Sequence, residues 1–289
     1  MLVNASVFLE TLRCIHENDG SGHSEPYIWP ALLAISPSGS VSVAAPGVEN
    51  ARVVIKDEMR AGEVAAIPTS VGAIGMQVDD ASPALILAVA LLESDDGPDH
   101  AMKAGFQAYV TGLTESIQAR LGELADPAMR DGAVAAIKQE VNNKVRSAIG
   151  GNLTLAEKIR ISLGIQDPDD AIDNDFQSFS PPFVSRPFTL RFGPDRGGQL
   201  LSYGDAGTPG NVSAPVVVGF GGWSDFQFLF AGRNVARGNR IYAVDKFVQS
   251  QNDFEIDGNL QVSPLIFERG ETRVDVRASR SARTVSGLK

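Results

Sequence analysis

The stretch CIHENDGSGHSEPYIW, Cys14 to Trp29, gathers oxygen-bearing side chains between two apolar runs: Glu17, Asn18, Asp19, Ser21, Ser24 and Glu25, with Gly20 and Gly22 among them. A hairpin tip of this composition suits calcium, which takes roughly six to eight oxygens from carboxylates, carbonyls and water. A second acidic group, Glu93, Asp95, Asp96 and Asp99, follows the most apolar run in the chain. If the strands that begin near Val7 and Ala84 run the same way, both groups meet at one end of a sandwich. Glu17, Asp19, Glu25, Asp95 and Asp96 are then the expected calcium ligands. The spacing is not that of an EF-hand, which needs D-x-[DN]-x-[DN]-G and a distant glutamate. The expectation therefore rests on two loops converging and not on a motif. His16 and His23 flank the first loop and His100 follows the second group. Histidine beside carboxylate can make a zinc site or a general base, but no H-E-x-x-H pattern is present and neither role is favoured.

Motifs for covalent and phosphoryl chemistry are missing. The chain has no G-x-S-x-G elbow and no G-x-x-x-x-G-K-[ST] loop, and Gly219, Gly221 and Gly222 lack the last glycine of a dinucleotide fingerprint. The single cysteine, Cys14, lies in a run whose alternation directs it toward the apolar side, where a thiol is inert. No catalytic residue is expected.

A different chemistry is offered by VVVGFGGWSDFQFLFAGRNVARGNRIYAVDKF, Val216 to Phe247. Phe226, Phe228 and Phe230 alternate with Gln227 and Leu229, so three rings share one strand face, and Ile241 to Val244 continue the alternation in a partner. Gly238 and Asn239 suit the turn between them. The segment Gly221-Gly222-Trp223-Ser224-Asp225-Phe226-Gln227-Phe228-Leu229-Phe230, followed by Ile241-Tyr242-Ala243-Val244, resembles one blade of the tachylectin-type β-propeller lectins. The resemblance implies a sugar site in which Trp223 stacks on the ring and Asp225 and Asn211 hydrogen-bond to it. Without a ligand, the same indole would be a packed core residue. One blade cannot cover both its faces. Cover from elsewhere in the same chain is the expected solution, because it avoids the entropy of association.

These stretches sit in a chain of alternating character. From Ser6 to Leu92, short runs rich in β-formers, SVFLETLRCI, YIWPALLAIS, SVSV, ARVVI and PALILAVALLE, are broken by Gly, Pro, Ser and Asp, which predicts an antiparallel β-sandwich over residues 1–97. From His100 to Leu163 the apolar period becomes helical. Met102, Phe106, Tyr109, Val110, Leu113, Ile117 and Leu121 share one face, and Val134, Ile137, Val141, Val145 and Ile149 another. Asp99 and Asp126 are placed to cap these helices, Thr154 with Glu157 forms a capping box for a third, and Gly150-Gly151 separates the last pair. A helical hairpin is thus expected over residues 98–165, a linker over 166–187, a blade-bearing β module over 188–268 and a polar strand or tail over 269–289. The fold class is α+β, mainly β.

Composition bounds the function. Hydrophobic residues make up 43% and charged residues 21%, as in ordinary globular proteins. A formal net charge of −10 argues against nucleic acid or anionic lipid as partner, since both need basic patches. No apolar run approaches a membrane span and no cleavable leader is evident, so a soluble protein, cytoplasmic or exported without a cleaved signal, is expected. The chemistry points to a non-enzymatic recognition protein that binds a glycan or another surface ligand, with a calcium-stabilised sandwich. The alternative is a structural or assembly protein whose β module and helices make subunit contacts, as in a homo-oligomer.

Overall fold

The computed structural model describes residues 1–16, 24–95, 97–126, 128–163, 169–192 and 253–264. Its strands are β1 (Leu2–His16), β2 (Pro26–Ile35), β3 (Val41–Ala44), β4 (Val64–Ala66), β5 (Ala73–Asp79), β6 (Ala84–Glu93), β7 (Asp170–Phe179), β8 (Arg186–Phe192) and β9 (Asp253–Pro264). The helices are α1 (Thr69–Gly72), α2 (Asp99–Ala119), α3 (Leu121–Ala125), α4 (Arg130–Asn152) and α5 (Leu155–Leu163). In the first sheet β1 pairs with β9 and β9 with β8, while β5 and β4 share the other side of β1. The second sheet runs β3-β2-β6-β7. All these pairings are antiparallel, as expected for an α+β fold dominated by β.

Three layers follow from which faces are apolar. Ala5, Val7, Leu9, Leu12 and Cys14 of β1 meet Ile28, Leu32, Leu85, Leu87 and Leu91 of the second sheet. Simple alternation from Leu9 would turn Leu12 outward. A register shift between Leu9 and Thr11 inserts Glu10 as an extra residue and restores the inward face. The opposite face of the second sheet carries Trp29, Ala31, Leu33, Ala88 and Ala90 against α2 and α4. β2 and β6 are therefore covered on both sides, which explains why they read as continuous apolar runs and not as alternations.

Pro30 lies inside β2, where a missing N–H should break a ladder. The carbonyl of Pro26 accepts the Ile55 N–H at 2.8 Å, whereas that of Glu25, one residue earlier, accepts the Ser94 N–H beside β6 at 3.0 Å. Backbone groups two residues apart point the same way, so Pro30 faces away from β6. β3 pairs with β2 only from Leu32 onward, so no strand bond is lost.

The helices dock as their periodicity predicts: Met102, Phe106, Tyr109, Leu113 and Ile117 of α2 and Ile137, Val141, Val145 and Ile149 of α4 are buried, with Ala133 taking the innermost place expected of Val134. Gly105 lets α2 pack closely on both α4 and the second sheet. A Cβ there would stand 2.7 Å from Ile149 Cγ1 and 3.0 Å from the Trp29 ring. The Thr154 capping box forms as expected, with Glu157 Oε2 accepting the Thr154 N–H at 2.7 Å and Thr154 Oγ1 accepting the Glu157 N–H at 3.3 Å. The Thr154 hydroxyl also donates to Glu157 Oε2 at 2.7 Å, and this bond first, then that from the Thr154 N–H, holds the Glu157 carboxyl below its ordinary value. No helix among the described residues is long and apolar enough to cross a membrane.

Several expectations are corrected. ARVVI is not a strand: a short 3-10 turn at Val48–Asn50 leads into it, because Arg52 is drawn to a charge partner described below. Residues 64–66 and 73–79 also form strands and complete the side of β1. Asp99 does not cap α2, whose first turn has no side-chain cap, and instead faces Arg52. Asp126 accepts the Ala128 N–H at 2.9 Å, one turn before α4 begins. Gly150-Gly151 lies within α4, because backbone bonds carry the helix through it to Asn152. Residues 170–179 of the expected linker form β7, and β8 and β9 join the first sheet through β1. The blade-like stretch 216–247 lies outside the described residues.

In the helical layer the Tyr109 hydroxyl is buried with no hydrogen-bond partner among the described residues, and burial pushes its pKa up. Removing an unsatisfied buried group recovers its desolvation cost, about 1 kcal/mol or more. Tyr109→Phe should therefore raise the melting temperature by roughly 2 °C, read by thermal unfolding followed by circular dichroism.

Candidate functional site

Strand direction brings many chain ends to one end of the sandwich. β1 ends at His16 opposite Asp253, and β8 ends at Phe192 opposite Phe254. β6 ends at Glu93, beside both Pro26 and Asp170. The turn at 59–63 joins the two sheets there: the Met59 N–H donates to the Ser24 carbonyl at 2.7 Å and the Cys14 N–H to the Glu63 carbonyl at 3.0 Å. β1 and β6 thus run to the same end, as the sequence required for the two acidic groups to meet. Residues 17–23, 164–168 and 193–252 all attach to described residues at this end.

At its centre is a buried carboxylate. The Asp169 side chain has no solvent exposure and that of Arg52 only 17%. Arg52 Nε donates to Asp169 Oδ2 at 2.7 Å and Nη2 to Oδ1 at 2.8 Å, a bidentate fork. The Tyr27 hydroxyl donates to Oδ2 at 2.9 Å, while the Asp95 and Gly97 N–H groups donate to Oδ1 at 3.1 and 2.9 Å. The other amine of Arg52 reaches Asp99 Oδ1 at 3.2 Å, and Nη2 also donates to the Asp95 carbonyl. Gly97 has to be glycine, since a Cβ there would lie 2.3 Å from Asp169 Oδ1. Trp29 Nε1 donates to the Ala51 carbonyl at 2.5 Å and so sets the turn that presents Arg52.

Burial pushes the Asp169 carboxyl above its ordinary value, against the pull of Arg52 and the bond from Tyr27. Burial alone would lower Arg52, but the Asp169 charge and the bond to Asp99 leave it raised. Tyr27 is held well above the ordinary phenol value, first by burial and then by the Asp169 charge, so its proton stays on oxygen as a donor. The cluster ties the backbone at Asp95 and Gly97, where the chain leaves for the helices, to Asp169, where it returns.

The expected ligand residues divide unevenly. Glu25 and Asp95 come to this end, but Asp95 contributes its backbone to the clamp and Glu25 its carbonyl to Ser94. Glu17, Asp19, Asp96, Asn211, Trp223 and Asp225 lie outside the described residues, as does His23. Among the described residues no group of three or more His, Cys, Asp or Glu is placed to hold a metal ion. His100 stands at the start of α2 with Nε2 2.9 Å from the Asn152 carbonyl, at the end of α4. Cys14 is buried, because the bulge at Glu10 turns Leu12 and Cys14 inward. Tyr27, Arg52 and Asp169 were not anticipated, although an arginine inside the apolar run ARVVI demands a buried counter-charge.

Compared with protein-family models, curated proteins and solved structures, the chain matches none.

Breaking a buried ion pair from one side leaves a charge uncompensated, at a cost of about 3–5 kcal/mol, whereas replacing both partners by apolar groups is often close to neutral. Arg52→Leu should therefore destabilise the protein strongly in urea titrations. Arg52→Leu combined with Asp169→Leu should lose less than Arg52→Leu alone.

Proposed function

We propose that the chain is a non-enzymatic recognition protein that binds carbohydrate, with Trp223 stacking on a sugar ring and Asp225 and Asn211 bonding to its hydroxyls. Support comes from the arrangement of strand ends. Residues 193–252, which carry the lectin-like stretch, depart from Phe192 and return at Asp253 at the end where the two acidic groups also attach. Recognition surfaces are commonly made of segments held by one end of a rigid sandwich. On this reading calcium is held there by Glu17, Asp19, Glu25, Asp95 and Asp96, the hard oxygen donors that the ion prefers.

A second reading, assembly into a homo-oligomer, draws on the outer face of the first sheet. The register places Asn4, Ser6 and Phe8 of β1 beside Gln77, Gly75 and Ala73 of β5 and Ser263, Gln261 and Asn259 of β9. None of these residues is charged, so copies of an acidic chain can approach here without like-charge repulsion.

A glycan array distinguishes the two. The recognition reading expects binding that Trp223→Ala removes without changing the melting temperature. No sugar signal, together with concentration-dependent mass in sedimentation, favours assembly instead. Calcium binding has its own measurement, because a ligand that binds only the folded state stabilises it. The melting temperature should be roughly 3 °C or more higher in millimolar calcium than in chelator, and identical curves would remove calcium from the proposal.

A further inference from the structure

The groups that hold Asp169 are fixed by contacts of their own. Tyr27 sits within β2 with its ring edge toward Trp29, centroids 6.3 Å apart. Arg52 follows the Trp29-anchored carbonyl of Ala51 and is also held by Asp99 and the Asp95 carbonyl. The N–H groups of Asp95 and Gly97 belong to the stretch after β6, which Ser94 ties to Glu25. Asp169 adds only a carboxylate, from the point where the chain comes back to β7.

We propose that Tyr27, Arg52 and the N–H groups of Asp95 and Gly97 form a carboxylate-binding pocket in its own right, which Asp169 occupies as a tethered ligand. The pocket selects by shape. One oxygen takes the hydroxyl and Nε, and the other takes Nη2 and two amides, so a planar anion with two oxygens satisfies every donor. A halide offers a single centre for donors that converge on two. A tetrahedral oxyanion needs room beside Oδ1, where the Gly97 backbone already stands so close that a Cβ would lie at 2.3 Å. The ligand class is a small monocarboxylate or an aspartate-like side chain. Because the tether lies at the return of the helical excursion, filling the pocket in cis closes that excursion at its base.

The test supplies the missing carboxylate from solution. Asp169→Ala leaves a space the size of formate, and Asp169→Gly one the size of acetate. In about 0.5 M sodium formate the Ala variant should melt roughly 3–5 °C higher than in equal sodium chloride, with acetate less effective, and the Gly variant should show the reverse preference. Wild type and Asp169→Asn, whose pocket is filled, should not distinguish formate or acetate from chloride beyond a common salt effect. Arg52→Met in the Asp169→Ala background should abolish the formate response. Equal melting in the three salts overturns the proposal. So does a variant that stays unfolded in formate and acetate as well as chloride, since the pocket then does not exist without its tether.

Discussion

Asp169 occupies a place that water does not reach, and an ionised carboxylate there is tolerated only when every lone pair finds a donor. The donors come from three separate parts of the chain: the second sheet, the turn after Asn50, and the stretch between β6 and α2. Satisfying one charge therefore fixes the relative positions of all three. The chain's long departure through the helices is closed at the same point, since Gly97 marks its beginning and Asp169 its end. The layered architecture depends on this closure, because α2 starts immediately after the clamp and its direction is set there.

The middle layer supplies the apolar counterpart of that polar constraint. β2 and β6 touch the first sheet on one face and the helices on the other, so each residue along them has a side chain to match. Trp29 connects the two kinds of constraint. Its ring packs against Phe106 and Tyr109 of α2, while its N–H sets the carbonyl just before Arg52. Close packing at Gly105 completes the contact, and a larger residue there would force α2 away from Ile149 of α4 and from Trp29 of the sheet.

What the sequence discloses is local. The strands at 2–16, 26–35 and 84–93, both long helices and the Thr154 cap follow from period and composition, because each is decided by neighbours in the chain. The misreadings share a different cause. ARVVI has a β-like composition, yet Arg52 obeys a carboxylate more than a hundred positions away, and no local pattern contains that partner. Acidic composition made residues 170–179 read as a linker, but β6 lay beside them with an unpaired edge. The bulge at Glu10 is likewise invisible in a simple alternation, being forced by pairing with β9. Of the candidate site, the sequence could state the condition that β1 and β6 run to one end, which they do, while the clamp there was not legible, since its three side chains carry no spacing relative to one another.

The pairing of Phe192 with Phe254 has an evolutionary side. These two residues are neighbours across a ladder, so the stretch between them starts and finishes on adjacent strands whose separation the first sheet has already fixed. The entropic cost of joining two such points grows only with the logarithm of the intervening length. The sandwich therefore places little demand on how long that stretch is or what it encodes. Lineages could lengthen, shorten or exchange it while the same scaffold went on folding beneath.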